Sequence, residues 1–113
     1  MNTMTLVAVA GLAAAALVVT SPYAQAAGDS IAGRTVMVKC QACHGTDGLS
    51  KNYWAPHIAG QKEDYLLRSL MAYKARKRES PMMSLVLKSL SDEDMANAAA
   101  YYAAIKITVE VPK

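Results

Sequence analysis

The run Cys40-Gln41-Ala42-Cys43-His44 holds both cysteines of this 113-residue chain and restricts its fold more than any other feature. C-x-x-C-H is the attachment signature for a c-type haem. Two thiols three positions apart lie on one helical turn and can add to the two vinyl groups of a haem, forming two thioether bonds. His44 is then held beneath the ring and offers an imidazole nitrogen to the iron. A flat apolar group attached in this way becomes part of the core.

Other uses of the same residues fit less well. A disulfide redox centre belongs with a βαβ pattern, and no strand-like alternation precedes Cys40. A structural zinc site needs four ligands; the set on offer is Cys40, Cys43, His44 and His57, and the adjacent Cys43 and His44 chelate awkwardly. A structural disulfide between Cys40 and Cys43 closes a trivial loop and stabilises little.

The length allows one domain. The apolar stretch Leu6 to Val19, followed by the small-x-small pattern Ala24-Gln25-Ala26, reads as a secretory signal. The stretch is shorter than the roughly 20 residues a spanning helix needs. Residues 1–26 are therefore expected to be a signal peptide and residues 27–113 the mature domain, placed in the periplasm. Met1 to Thr5 carries no Lys or Arg, which departs from the usual signal and leaves an uncleaved membrane anchor as the alternative. Export agrees with the motif, because c-type haem attachment is characteristically completed outside the bacterial cytoplasm. A domain this small has a limited core of its own, which a covalently held haem enlarges. All twelve Lys and Arg and all nine acidic residues follow Ala26, giving a formal charge of +3. Two haem propionates lower this to about +1, too mild a balance to argue for a nucleic-acid partner.

The mature pattern is helical throughout. Asp29 or Ser30 can cap a first helix with apolar positions Ile31, Val36 and Met37, running into the Cys40 turn. Gly45 to Gly60 is rich in Gly, Asn, Ser and Pro and reads as loop. Glu63 to Lys74 carries Leu66, Leu67, Leu70, Met71 and Tyr73 in a helical stripe. Ala75 to Pro81 breaks that helix, since the residue before a proline avoids the helical region. Ser91 with Asp94 resembles a capping box, and Asp92, Glu93 and Asp94 suit the positive end of a last helix that continues through Tyr101, Tyr102 and Ile105. The expected fold is all-α.

A second axial ligand closes the iron to oxygen and peroxide, and a methionine thioether favours Fe(II) and raises the potential. Met37 precedes the motif, and Met71 and Met95 lie on helical stripes where core packing is the expected role. Met82 and Met83 fall in a stretch expected to be non-helical after Pro81, from which a loop can cover the opposite haem face. His57 is the other potential ligand, although it is tethered close to His44 by a short proline-containing loop; a surface position is its expected role.

Taken together, Cys40 to His44, the segment Pro56-His57-Ile58-Ala59-Gly60-Gln61, the Met83 segment and Leu90-Ser91-Asp92-Glu93-Asp94 leading to Ala100-Tyr101-Tyr102 resemble a class I bacterial cytochrome c. The type most similar is one half of the two-haem periplasmic cytochromes called c-four, and the likeness covers nearly the whole chain from Ala27 onward. The resemblance implies a small class I cytochrome c fold packed around one haem c. It implies Met83 rather than Met82 as distal ligand, so that His44 and Met83 hold the iron. It also implies that the Pro56 carbonyl accepts a hydrogen bond from the other ring nitrogen of His44, fixing its tautomer. Gly33 and Tyr101 resemble the family's pair at the crossing of the first and last helices. A single C-x-x-C-H departs from the two-haem pattern and implies a monohaem protein.

These readings lead to the expectation of an electron carrier rather than an enzyme. Its partners are expected to be redox proteins, such as a dehydrogenase, a quinol-oxidising complex or a terminal oxidase or reductase. Membrane contact is expected only through those partners or an uncleaved signal segment. The alternative is the cytochrome subunit of an oxidoreductase complex such as a flavocytochrome sulfide dehydrogenase, and a different class is a haem protein with an open distal site. Lys74, Arg76, Lys77 and Arg78 form a cationic segment read either as solvated surface or as a docking patch for an acidic partner.

Overall fold

The computed structural model describes residues 27–113, so the expected signal peptide at 1–26 lies outside the described residues. Within them the regular structure is α1 (Gly33–Met37), α2 (Gln41–His44), α3 (Glu63–Lys74), α4 (Pro81–Leu87) and α5 (Asp92–Ala103), with no strand among the described residues. None of the described helices is long and apolar enough to cross a membrane.

α3 spans the residues expected of it, and α5 starts directly after Ser91 as expected but ends at Ala103, so Ile105 lies beyond the helix it was read into. At α5, the Ser91 hydroxyl accepts from the Asp94 amide at 3.0 Å and the Asp94 carboxylate accepts from the Ser91 amide at 2.8 Å, a complete capping box. The Ser91 backbone amide, and after it the Ser91 hydroxyl, hold the Asp94 carboxyl below the ordinary carboxylate range. The alanine-rich body of α5 buries Met95, Ala96, Ala98, Ala99, Ala100 and Tyr102, and these small side chains let neighbouring helices approach closely. α3 lays Leu66 and Leu67 on this surface. Each large apolar side chain buried there contributes about 2 kcal/mol. Lys74 joins the end of α3 to the start of α5, donating to the Leu90 carbonyl at 2.7 Å and to Asp92 at 3.0 Å.

α1 crosses α5 at Gly33. A Cβ there would meet the Asn97 carbonyl and lie 2.7 Å from the Tyr101 Cβ, so the absent side chain is what permits the crossing. The chain before α1 is tied down as well: Gly28 donates to Glu63 at 2.9 Å and Asp29 to the Asn97 side chain at 2.8 Å. Asp29 also does the capping, accepting from the amides of Ile31 and Ala32 in the turn that leads into α1.

Three expectations are corrected. Pro81 does not leave a non-helical stretch after it; it starts α4, with Ser80 as the cap and the proline in the first turn, where its missing N–H costs nothing. Met82 and Met83 are therefore helical. Ile31 and Met71, read as apolar stripe positions, are exposed; Ile31 falls in the turn that precedes α1 and so is not on the helix face it was read into.

Candidate haem site

The thiols and the imidazole share one helical turn. Turn bonds from Lys39 to Val36 and from Cys40 to Met37 bring the chain out of α1, and Cys40 then caps α2, its carbonyl accepting from Cys43 at 3.2 Å and His44 at 3.0 Å. Both cysteines are free and half-buried. Burial pushes the Cys40 thiol above its ordinary value, Cys43 adds to this and Lys39 opposes it.

His44 is a buried polar side chain, 8% exposed, at the end of α2. Its Nδ1 lies 3.0 Å from the Pro56 carbonyl oxygen. A carbonyl only accepts, so Nδ1 carries the proton and Nε2 presents a lone pair. Nε2 has no hydrogen-bond partner among the described residues, yet no buried side-chain nitrogen there is left unpaired; Nε2 therefore faces reachable space. An imidazole fixed at one nitrogen and open at the other is the arrangement of a metal-ligating histidine.

The 45–60 loop builds that contact. The Gly48 carbonyl accepts from Ile58 at 2.8 Å and Ala59 at 3.1 Å, folding the loop back on itself. Ser50 donates to the Cys43 carbonyl at 2.6 Å, and Asn52 accepts from the Trp54 amide at 2.9 Å. Pro56 thereby reaches the Nδ1 side of His44. Its neighbour His57 is exposed, the surface position expected of it.

Two supports escaped the sequence reading. The Tyr102 hydroxyl donates to the Gly45 carbonyl at 3.0 Å, and Tyr101 donates to the Thr46 carbonyl at 2.8 Å. These bolt the chain just after His44 onto α5. Burial raises the Tyr102 phenol well above its usual value. Only the alternating Tyr101-Tyr102 pair hinted at such a role, and nothing local named the acceptors.

Met83 is half-buried against the core, while Met82 is 63% exposed. On α4, Met83 and Leu87 occupy the inward face and Met82 and Leu85 the outward one. Met83 makes no hydrogen bond to the α2 turn through its side chain. A cleft of about 1040 Å³ opens beside Cys43, lined by Thr46, Asp47, Lys51, Tyr101 and Ile105 among others; neither His44 nor Met83 lines it. Among the described residues no three of His, Cys, Asp and Glu gather as a metal-holding cluster, so Cys40, Cys43, His44 and His57 do not assemble the alternative zinc site.

The donor set fits a haem: two free thiols and a preset imidazole share one turn, and Ile58, Leu70, Tyr73 and Met83 are left only partly covered where they pack against the core. This defines a helical domain for a covalently attached c-type haem.

Comparison with known proteins makes the assignment particular. The cytochrome c family model matches residues 30–105, and the chain belongs to that family. It is 45% identical over 86 residues to cytochrome c4 of Pseudomonas aeruginosa, covering 76% of this chain and 43% of that protein. It is 42% identical over 79 residues to cytochrome c-554(548) of Halomonas halodenitrificans, covering 67% of this chain and 95% of that one. The crystal structure of reduced recombinant cytochrome c4 from Pseudomonas stutzeri superimposes with a TM-score of 0.68 at 39% identity, over 74% of this chain and 48% of that one. The chain thus spans about half the length of the c4 relatives it matches. The expected all-α class I fold of the c4 type stands, and the chain carries one haem c through Cys40 and Cys43.

Proposed function

We propose that this cytochrome is an exported, periplasmic carrier of single electrons whose iron is held by His44 and Met83. The observation that carries the reading is the His44–Pro56 contact, which leaves Nε2 as the free ligating atom. The haem, when bound, supplies one-electron exchange between ferric and ferrous iron. The protein's own residues do the rest. Pro56 fixes the tautomer and orientation of His44. Met83 supplies a soft thioether from the inward face of α4, which favours the reduced state. Tyr101 and Tyr102 hold the turn below. With two protein ligands, electrons pass without substrate binding at the metal.

The match over 95% of the length of the Halomonas cytochrome supports a one-domain cytochrome as the unit of function, with the cytochrome subunit of an oxidoreductase as the alternative. Redox proteins are the proposed partners. In the cationic segment, Lys74 is paired with Asp92 and Arg78 lies over the Tyr73 ring at 4.7 Å. Arg76 and Lys77 make no such side-chain contact among the described residues. A cleft of about 520 Å³ here is lined by Arg76, Arg78, Lys88, Glu79 and Leu85. Its balance of charge suits an acidic partner, and charges of this kind act chiefly on association rate.

The ligand assignment is tested with the weak far-red sulfur-to-iron charge-transfer band of the oxidised holoprotein. Met83→Ala should abolish it and lower the reduction potential, and Met82→Ala should keep it. Persistence of the band in Met83→Ala would move the ligand to Met82.

A further inference from the structure

Met83 sits on an element too short to hold itself in place. α4 spans seven residues, well under the 12 or so that an isolated helix needs in water. Its position therefore comes from its ties to the rest of the molecule. Leu87 supplies the apolar one, buried to 1% exposure. Two serines near Met83 supply the polar ones. The Ser80 hydroxyl accepts from the amide of Met83 itself at 3.3 Å, which starts the helix but links α4 only to its own cap. The Ser84 hydroxyl donates to the Tyr73 carbonyl at 3.0 Å, a partly buried bond spanning 11 positions. It is the polar tie that joins α4 to α3.

The Tyr73 end of that bond is firm. Its carbonyl also accepts from the amides of Ala75 and Arg76. Its ring lies under the Arg78 guanidinium, which reaches back to Ser69 at 3.3 Å. The acceptor is therefore part of a braced turn, and what Ser84 gains from it is position.

We infer that Ser84 is a positioning residue for Met83, its bond to Tyr73 setting how firmly the thioether is presented to the haem. The inference rests on the reading of Met83 as distal ligand. Residues 83 and 84 are adjacent, so freeing the Ser84 hydroxyl loosens the backbone that carries the thioether. Leu87, one turn further on, still holds the helix on the core. The Tyr73 carbonyl keeps two other donors, so removing the hydroxyl leaves no orphaned acceptor. The effect falls on the placement of Met83 and much less on the fold. Loss of one neutral hydrogen bond shifts such an equilibrium about fivefold.

The test titrates imidazole, a competing ligand, into the oxidised holoprotein while following the far-red band, with guanidinium unfolding measured in parallel. Ser84→Ala should keep the band but lose it at about fivefold lower imidazole concentration. Ser84→Thr, which retains the hydroxyl, should titrate like the unaltered protein. Ser91→Ala, which loosens α5 by a comparable amount without touching α4, should lower the unfolding midpoint and leave the imidazole concentration unchanged. The inference is overturned if Ser84→Ala titrates with the unaltered protein, or if Ser91→Ala shifts the titration equally. A band missing from the unaltered protein, or retained in Met83→Ala, overturns the ligand assignment itself and is recognised separately.

Discussion

Gly33→Ala places a methyl group where two helices touch, and opposing effects of known size decide the outcome. In a free helix interior alanine is favoured over glycine by about 1 kcal/mol, and at the first position of α1 that gain is smaller. Against it, the new Cβ lies 2.7 Å from the Tyr101 Cβ and collides with the Asn97 carbonyl. Carbon atoms prefer separations of about 3.5–4.0 Å, so α1 and α5 have to part by roughly 1 Å. The Asn97 carbonyl is backbone inside α5 and cannot turn aside. Overpacking of this type costs about 1–3 kcal/mol, which exceeds the propensity gain. A net loss of about 1 kcal/mol lowers the midpoint of a domain this size by about 4–8 °C. Thermal unfolding of the holoprotein, followed by circular dichroism at 222 nm, measures it. An unchanged or higher midpoint would refute the close helix crossing.

The remaining expectations concern the acid limb, the alkaline limb and the basic surface. The Asp94 carboxyl titrates lower in the folded protein than its ordinary value near 3.9. Between those two values the unfolded chain binds more protons, so the capping box stabilises above about pH 4 and its contribution fades as pH falls through the folded pKa; Asp94→Asn should flatten stability against pH in that window. The Tyr102 phenol is raised, so the folded protein keeps its proton where the unfolded chain loses it, and stability should decline above about pH 10. Tyr102→Phe should remove that decline and cost about 1 kcal/mol through the lost bond to Gly45, read by guanidinium unfolding at pH 7 and pH 11. Arg76→Glu combined with Lys77→Glu should slow stopped-flow oxidation by anionic ferricyanide severalfold at low salt, and the difference should close near 1 M salt, where screening shortens to about 3 Å.

Local chemistry made some elements readable and left others hidden. α3 was legible from its leucine stripe, and α5 from Ser91 and Asp94, because cap and stripe lie within one or two turns of each other. α4 was missed although its signal is present: Ser80-Pro81 is a cap followed by a first-turn proline, and the same dipeptide also reads as a helix stop. The thiols and His44 were legible because their spacing alone places them on one turn. The Pro56 contact came through family resemblance, since only the folded loop brings its carbonyl to Nδ1. The hydroxyl anchors of Tyr101 and Tyr102 span 55 and 57 positions, and the tie of Gly28 to Glu63 spans 35. No local pattern encodes such pairings.

The measurement closest to the central claim is the intact mass of the protein produced in an exporting cell able to mature c-type cytochromes, before and after acid–acetone extraction. The expected mass is that of the polypeptide plus one haem, retained through extraction and located by fragmentation to a peptide bearing Cys40 and Cys43. A bare polypeptide mass with both thiols open to alkylation would contradict it.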